Sequence, residues 1–227
     1  MKKILPFLAA ALVQGCVLSY AEERYDGAWW LAHDPGEQAK LCKQQGDICA
    51  VQFNFLDGYS LCSVSFRDPK AWPRVSFDDL RSAITLYYRN KPTRLSEPVA
   101  VVVEKLLPTL KPLPDLGPGN CPANTPRGRC YTGEEWWEIA SPLPDSECND
   151  DPVCTAAPFV AGFLECYRRY GPRNYEFPQS AEYYAKKINE FYGIEPHGLE
   201  GTDMDGKVAH VPVVDLLLLL AERKDGK

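Results

Sequence analysis

The chain has no Cys-x-x-Cys pair, no His-x-x-x-His pair and no Gly-x-Ser-x-Gly turn, and its three histidines, His33, His197 and His210, are scattered. Without the paired spacings, the common zinc geometries are excluded. Without the glycine-flanked serine, the α/β-hydrolase nucleophile elbow is excluded too. Asp203-Met204-Asp205-Gly206 begins like a calcium loop, but Lys207 and the missing glutamate at the closing position break it. No metal and no cofactor are expected. Basic residues are also in short supply, at 25 against 31 acidic, a formal net charge of −6 that becomes about −8 when Lys2 and Lys3 leave with the leader described below. Such a balance argues against nucleic acid or an anionic membrane surface as partner and suits a basic protein. Beyond the first residues no apolar run reaches the ~18 needed for a membrane helix. The longest, Val211 to Ala221, carries Pro212 and Asp215.

What is present begins with a leader. Lys2 and Lys3 precede an apolar stretch from Ile4 to Leu18, and Ser19-Tyr20-Ala21 places small residues where a signal peptidase reads them. Residues 1–21 are therefore expected to be a signal peptide, with the mature chain exported to the periplasm. Val13-Gln14-Gly15-Cys16 offers a second reading, a loose lipobox that would place a lipid anchor on Cys16.

The mature chain is written twice. Tyr25-Asp26-Gly27-Ala28-Trp29-Trp30 returns as Tyr131-Thr132-Gly133-Glu134-Glu135-Trp136-Trp137, and each tryptophan pair is followed by a proline, Pro35 and Pro142. Phe55, Gly58, Tyr59 and Cys62 are answered by Phe159, Gly162, Phe163 and Cys166. The same offset, without a gap, aligns Ser76 with Ser180, Ile84 with Ile188 and Tyr88 with Tyr192. Duplication of one module implies two related surfaces.

Periodicity within the modules is helical. Ile48, Val51, Phe55, Tyr59 and Cys62 recur at spacings of three and four, as do Thr155, Phe159, Phe163, Cys166 and Tyr170. Asp47 is placed to cap the first of these helices. Gly58 and Gly162 stand one turn before their cysteines. A glycine inside a helix costs ~1 kcal/mol of propensity, so its presence in both copies predicts close approach of another backbone. Helices over Ser76 to Tyr88 and Ser180 to Tyr192 follow, then closing helices over Pro98 to Leu107 and Pro212 to Arg223 with proline in the first turn. Between the modules, Pro108 to Cys130 holds six prolines and three glycines, which marks a boundary. The expected architecture is all-α: a helical module over 22–107, a Pro-rich linker over 108–130 and a second module over 131–227, two small disulfide-bonded bundles related by pseudo-twofold symmetry.

Nine cysteines less Cys16 leave eight, an even number that fits an oxidising compartment. Cys49 and Cys62 lie near opposite ends of one helix, roughly 20 Å apart, too far to bridge. The turn-like spacers favour Cys42 with Cys49 and Cys148 with Cys154. For Cys62, Cys166, Cys121 and Cys130 two arrangements stay open: Cys62 with Cys166 across a pseudo-twofold axis while the linker closes on itself, or linker cysteines bridging to the modules.

The order of glycine, cysteine pair, a helix of the form Phe55-Leu56-Asp57-Gly58-Tyr59, a helix ending in tyrosines and a proline-started closing helix resembles the Rap/Tai immunity proteins. The resemblance covers about 85 residues of each module. It implies a small exported helical protein that blocks a peptidoglycan amidase toxin delivered by type VI secretion, and it marks no binding residue. Two copies in one chain, the paired tryptophans and the Pro-rich bridge depart from the family pattern. Two other readings stand beside it: a structural or envelope-associated module, lipidated at Cys16, and a cell-wall glycan binder using Trp29, Trp30, Trp136 and Trp137. For the tryptophans, core packing is favoured over sugar stacking. Asp57 is matched by Ala161, which excludes a catalytic carboxylate shared by both copies. Glu134 and Glu135 face Ala28 in the other copy and read as a solvated face. No enzyme is proposed, and a protein partner, a secreted peptidoglycan amidase, is the leading expectation.

Overall fold

Capping side chains start four of the described helices, two of them, at Ser76 and Ser180, where the sequence places them. In the computed structural model, which describes residues 25–36, 50–67, 75–113, 127–140, 151–194 and 206–224, Asp26 accepts the N–H groups of Ala28 and Trp29 at 3.0 and 3.1 Å and opens α1 (Gly27–Ala32). Ser76 and Ser180 each accept the N–H three residues on, opening α3 (Phe77–Asn90) and α7 (Ala181–Tyr192). Asp151 opens α6 (Pro152–Tyr170) by accepting the N–H of Val153, two residues on, at 2.9 Å. These hydroxyl and carboxylate caps satisfy N–H groups that have no partner inside the helix. The remaining helices are α2 (Ala50–Phe66), α4 (Val99–Leu106), α5 (Gly133–Ala140), α8 (Gly206–Ala209) and α9 (Val213–Leu220). Gly193 ends α7 at φ 75°, a left-handed position that glycine takes without strain.

The closing helices differ from expectation at both ends. Pro98 and Pro212 are N-caps in extended conformation rather than first-turn residues. In place of a side-chain cap, the first N–H of α4 donates to Tyr25 O at 2.9 Å and that of α9 to Tyr131 O at 2.8 Å. The second correction is at the C-terminal end. α9 stops at Leu220, where the apolar run ends, Ala221 turns extended, and Glu222–Arg223 form a strand, β2, antiparallel to Tyr175–Glu176, β1. The described chain is thus mostly helical with one two-stranded ribbon.

The core is continuous across both sequence modules. α2 and α6 form the central pair; α3 packs on α2, and α5 and α7 pack on α6, while α4, seated on α3, also reaches α6 and α9, seated on α7, also reaches α2. At the centre, the two helix glycines meet the opposite backbone. A Cβ on Gly58 would stand 1.8 Å from Phe159 O, and one on Gly162 would stand 2.0 Å from Phe55 O. Nothing larger than hydrogen fits at either point, which is the close approach that glycine in both copies predicts. One turn on, Cys62 and Cys166, both fully buried, form a disulfide with Cα atoms 6.0 Å apart. This is the Cys62–Cys166 pairing of the first open arrangement; whether the linker closes on itself rests on Cys121, outside the described residues. Cys130 and Cys154 are each disulfide-bonded as well. Cys42, Cys49, Cys121 and Cys148, and with them the expected short bridges, lie outside the described residues, as do Asp47 and the residues of the expected signal peptide.

A set of contacts recurs between the halves and corrects the register of the tryptophans. Tyr25 stacks on Phe55 and Tyr131 on Phe159. Gly27 lies under the ring of Tyr88, and Gly133 under that of Tyr192. Trp30 is fully buried and donates Nε1–H to Thr85 at 2.9 Å, and Trp136, equally buried, donates to Asn189 at 2.8 Å. By environment, Trp30 therefore answers Trp136. Trp137 stands where Leu31 does and Glu135 where Trp29 does, so the two Trp-Trp pairs are offset by one residue. Counting the pairs as units hid this, because Glu134 and Glu135 occupy the space of one alanine and one tryptophan.

Candidate binding surfaces

The residues singled out in the sequence are mostly structural. Trp29, Trp30 and Trp136 are buried, and Trp137 is half-buried against the core. Three of the four cannot offer a face to a sugar ring, so they form no glycan-stacking platform. Phe55, Tyr59, Phe159 and Phe163 are fully buried around the α2–α6 crossing. Each buried aromatic of this size contributes roughly 2–3 kcal/mol to folding.

Asp57 departs from that pattern. It lies on α2 beside Gly58, half-buried, where its counterpart in the other half is Ala161. Among the described residues no hydrogen-bond donor reaches it, and burial pushes its carboxyl up to about 7. The phenol of Tyr131 is pushed well above its usual value by its own burial first, and then by the negative charges of Asp57, Glu135 and Glu138. The sign of the consequence is fixed. A carboxyl whose folded pKa lies above its unfolded value contributes stability in full below about 3.8, and loses it as pH rises towards 7. Asp57→Asn should remove that slope, making the variant roughly 2–4 kcal/mol more stable than the parent at pH 8, while the two converge near pH 4. Urea titrations at pH 4.5, 6 and 8 measure it, and parallel curves for the two proteins would exclude this role.

Two polar clusters escape sequence reading. Glu104 on α4 accepts from Tyr59 Oη and from the Arg67 guanidinium, both at 2.6 Å, and Arg67 lies over the ring of Tyr170 at 4.1 Å. Burial, reinforced by Glu104, pushes the Tyr59 phenol upwards. In the second cluster, Asp34 is nearly buried, 2.6 Å from Arg89 and 3.8 Å from Arg81. Arg81 is itself 4% exposed, and its Nε finds no acceptor among the described residues. A sequence signal for Arg81 existed: it shares the core-facing stripe of α3 with Leu80, Ile84 and Tyr88, and its counterpart is Ala185. Such an arginine is expected to be paired below the surface.

A pocket of about 470 Å³ opens where α6 ends. The last turn of α6 supplies Tyr167 and Arg168, the following loop supplies Arg173, and β1 with its flanks supplies Tyr175, Glu176 and Phe177. Lys224 arrives from the C-terminal ribbon. The ribbon is what brings Lys224 here, since its N–H donates to Asn174 O at 2.9 Å.

Among the described residues, no three His, Cys, Asp or Glu side chains gather as a metal site, and no helix is long and apolar enough to cross a membrane. The Asp203 segment lies outside the described residues. The chain matches no protein-family model, no curated protein and no solved structure at a significant level.

Proposed function

We propose that the mature chain is an exported protein-binding module that inhibits a secreted peptidoglycan-cleaving enzyme by occluding its cleft. The observation that carries this reading is the α2–α6 seam. Two related segments are interlocked at Gly58 and Gly162 and joined covalently through Cys62 and Cys166. Such a scaffold fixes the surface presented by its described helices before the partner arrives, which limits the ordering entropy lost on binding. The disulfide fits an oxidising compartment, and the resemblance to Rap/Tai immunity proteins supplies the partner class.

Pseudo-twofold symmetry belongs to the same proposal. Gly58 touches Phe159 while Gly162 touches Phe55, and the disulfide joins two cysteines at equivalent positions. Residues that pair with their own equivalents lie close to a twofold axis, so the chain is a fused pair of modules with two matched faces. Glu104 and Arg67, part-exposed and answered by no like pair in the other half, make those faces unequal. The protein would therefore present one binding face rather than two identical ones.

The net acidic charge would speed association with a basic partner at low salt, because exposed charges are screened over roughly 8 Å at physiological ionic strength. Co-expression with a periplasmic cell-wall amidase should suppress lysis when the leader is present and fail when residues 2–21 are deleted. The purified protein should release nothing from peptidoglycan. Hydrolysis by the purified protein, or lysis unsuppressed by every partner tested, would favour the envelope-module alternative, for which lipid on Cys16 is the direct observation.

A further inference from the structure

The pocket at the end of α6 has a chemistry that occlusion of an enzyme cleft does not use. Its wall is aromatic: Phe177 meets Tyr167 edge to face with centroids 4.9 Å apart, and Tyr175 continues it. Its rim is cationic, with Arg168, Arg173 and Lys224 set against a single lining acid, Glu176. In a chain of net charge −6 this is a local reversal of sign. Two of the three cations are already engaged, Arg168 by Glu165 at 2.7 Å and Lys224 by Glu176. Arg173 is exposed and makes no ion pair among the described residues.

An unengaged guanidinium at the mouth of an aromatic pocket is suited to one kind of group. Its planar fork donates two parallel N–H bonds to a carboxylate, stronger than bonds between neutral groups. The volume of about 470 Å³ lies within the range of small-ligand pockets, ~300–1,000 Å³. That is far more space than a bare carboxylate ion fills, so the anion must carry an apolar body that rests on the Tyr167–Phe177 wall. A concave site of this size suits a few residues of chain rather than the flat face of a folded protein.

We propose that this pocket binds the carboxylate end of a short peptide, with Arg173 as its anchor, Lys224 as supporting charge and the terminal side chain packed against Tyr167 and Phe177. The proposal stands on the pocket's own geometry and does not depend on the inhibitor reading. Because Lys224 reaches the rim through the pairing of β2 with β1, that ribbon becomes part of the site.

Calorimetric titration of the purified mature chain tests it with three probes: acetyl-Ala-Ala-Phe with a free carboxylate, the same peptide as its amide, and inorganic phosphate. The free acid should bind, the amide should bind at least tenfold more weakly, and phosphate should not compete. Arg173→Ala should weaken the acid about tenfold or more, Arg173→Lys should recover part of that loss, and Lys187→Ala on α7 should change nothing. Thermal melts of the variants show whether each is folded. Equal binding of acid and amide, competition by phosphate at similar concentration, an unchanged affinity in Arg173→Ala, or no binding of the acid at millimolar concentration would each overturn the proposal. Suppression of lysis is measured in cells with a different ligand, so failure of one reading leaves the other standing.

Discussion

Gly58→Ala and Gly162→Ala will each lower the stability of the protein by more than about 3 kcal/mol, the largest effect expected of any single methyl group in the chain. On an exposed helix the same change would be favourable by ~1 kcal/mol, because alanine is the better helix former. Here the added Cβ would stand 1.8 Å from Phe159 O or 2.0 Å from Phe55 O. The obstacle is backbone rather than the end of a flexible side chain, so α2 and α6 must separate along their length. Separation would strip packing from Phe55, Tyr59, Phe159 and Phe163, all fully buried. The two substitutions should also be strongly non-additive. Once the first methyl has moved the helices apart, the second enters space already opened, and the double variant should lose clearly less than the sum. Denaturant melts of the two single variants and the double one measure both statements. Stability at or above that of the parent in either single variant would mean that the helices do not meet as closely as described.

That contact was legible in the sequence, for a physical reason. Glycine inside an otherwise good helix is unfavourable, so its recurrence at equivalent places in two copies requires a compensating contact. The same logic located α3 and α7 through Ser76 and Ser180, and separated the core role of Trp30 and Trp136 from a glycan-stacking role. What was not legible depended on pairings between segments distant in sequence. Nothing in Glu222 or Arg223 announces a strand. They become one because β1 offers an edge and because α9 has run out of apolar residues at Leu220. The carboxylate of Glu104 is brought to Tyr59 and Arg67 only by the packing of α4. The register of the tryptophans failed for a different reason: a repeated dipeptide is a weaker marker than the contacts its members make, and the glycines under Tyr88 and Tyr192 fix the alignment instead. Likewise, the 108–130 boundary reads as a break in composition, yet the core passes from one side of it to the other without interruption.

Replacing Cys62 and Cys166 together with alanine will cost about 3–5 kcal/mol and lower the thermal midpoint by roughly 10 °C. The bond closes a loop with a sequence separation of 104. In the chain-entropy account, a cross-link over about 100 residues removes some 4.7 kcal/mol of freedom from the unfolded ensemble. The double variant is the informative one. A single replacement leaves a buried thiol in a protein whose Cys130 and Cys154 are also oxidised, and exchange among them would confuse the comparison. Helix content should survive the loss, because the apolar packing between α2 and α6 does not require the bond. Exposure adds a kinetic expectation. Both sulfurs are fully buried, so a thiol reagent cannot reach them in the native state, and reduction of this bond should proceed no faster than opening of the core. Trapping free thiols over time in mild reductant, with and without low denaturant, measures that rate directly. Release of the Cys62 and Cys166 thiols as fast as those of an unfolded peptide would show that the seam opens readily, and would remove the rigidity on which the inhibitor reading rests.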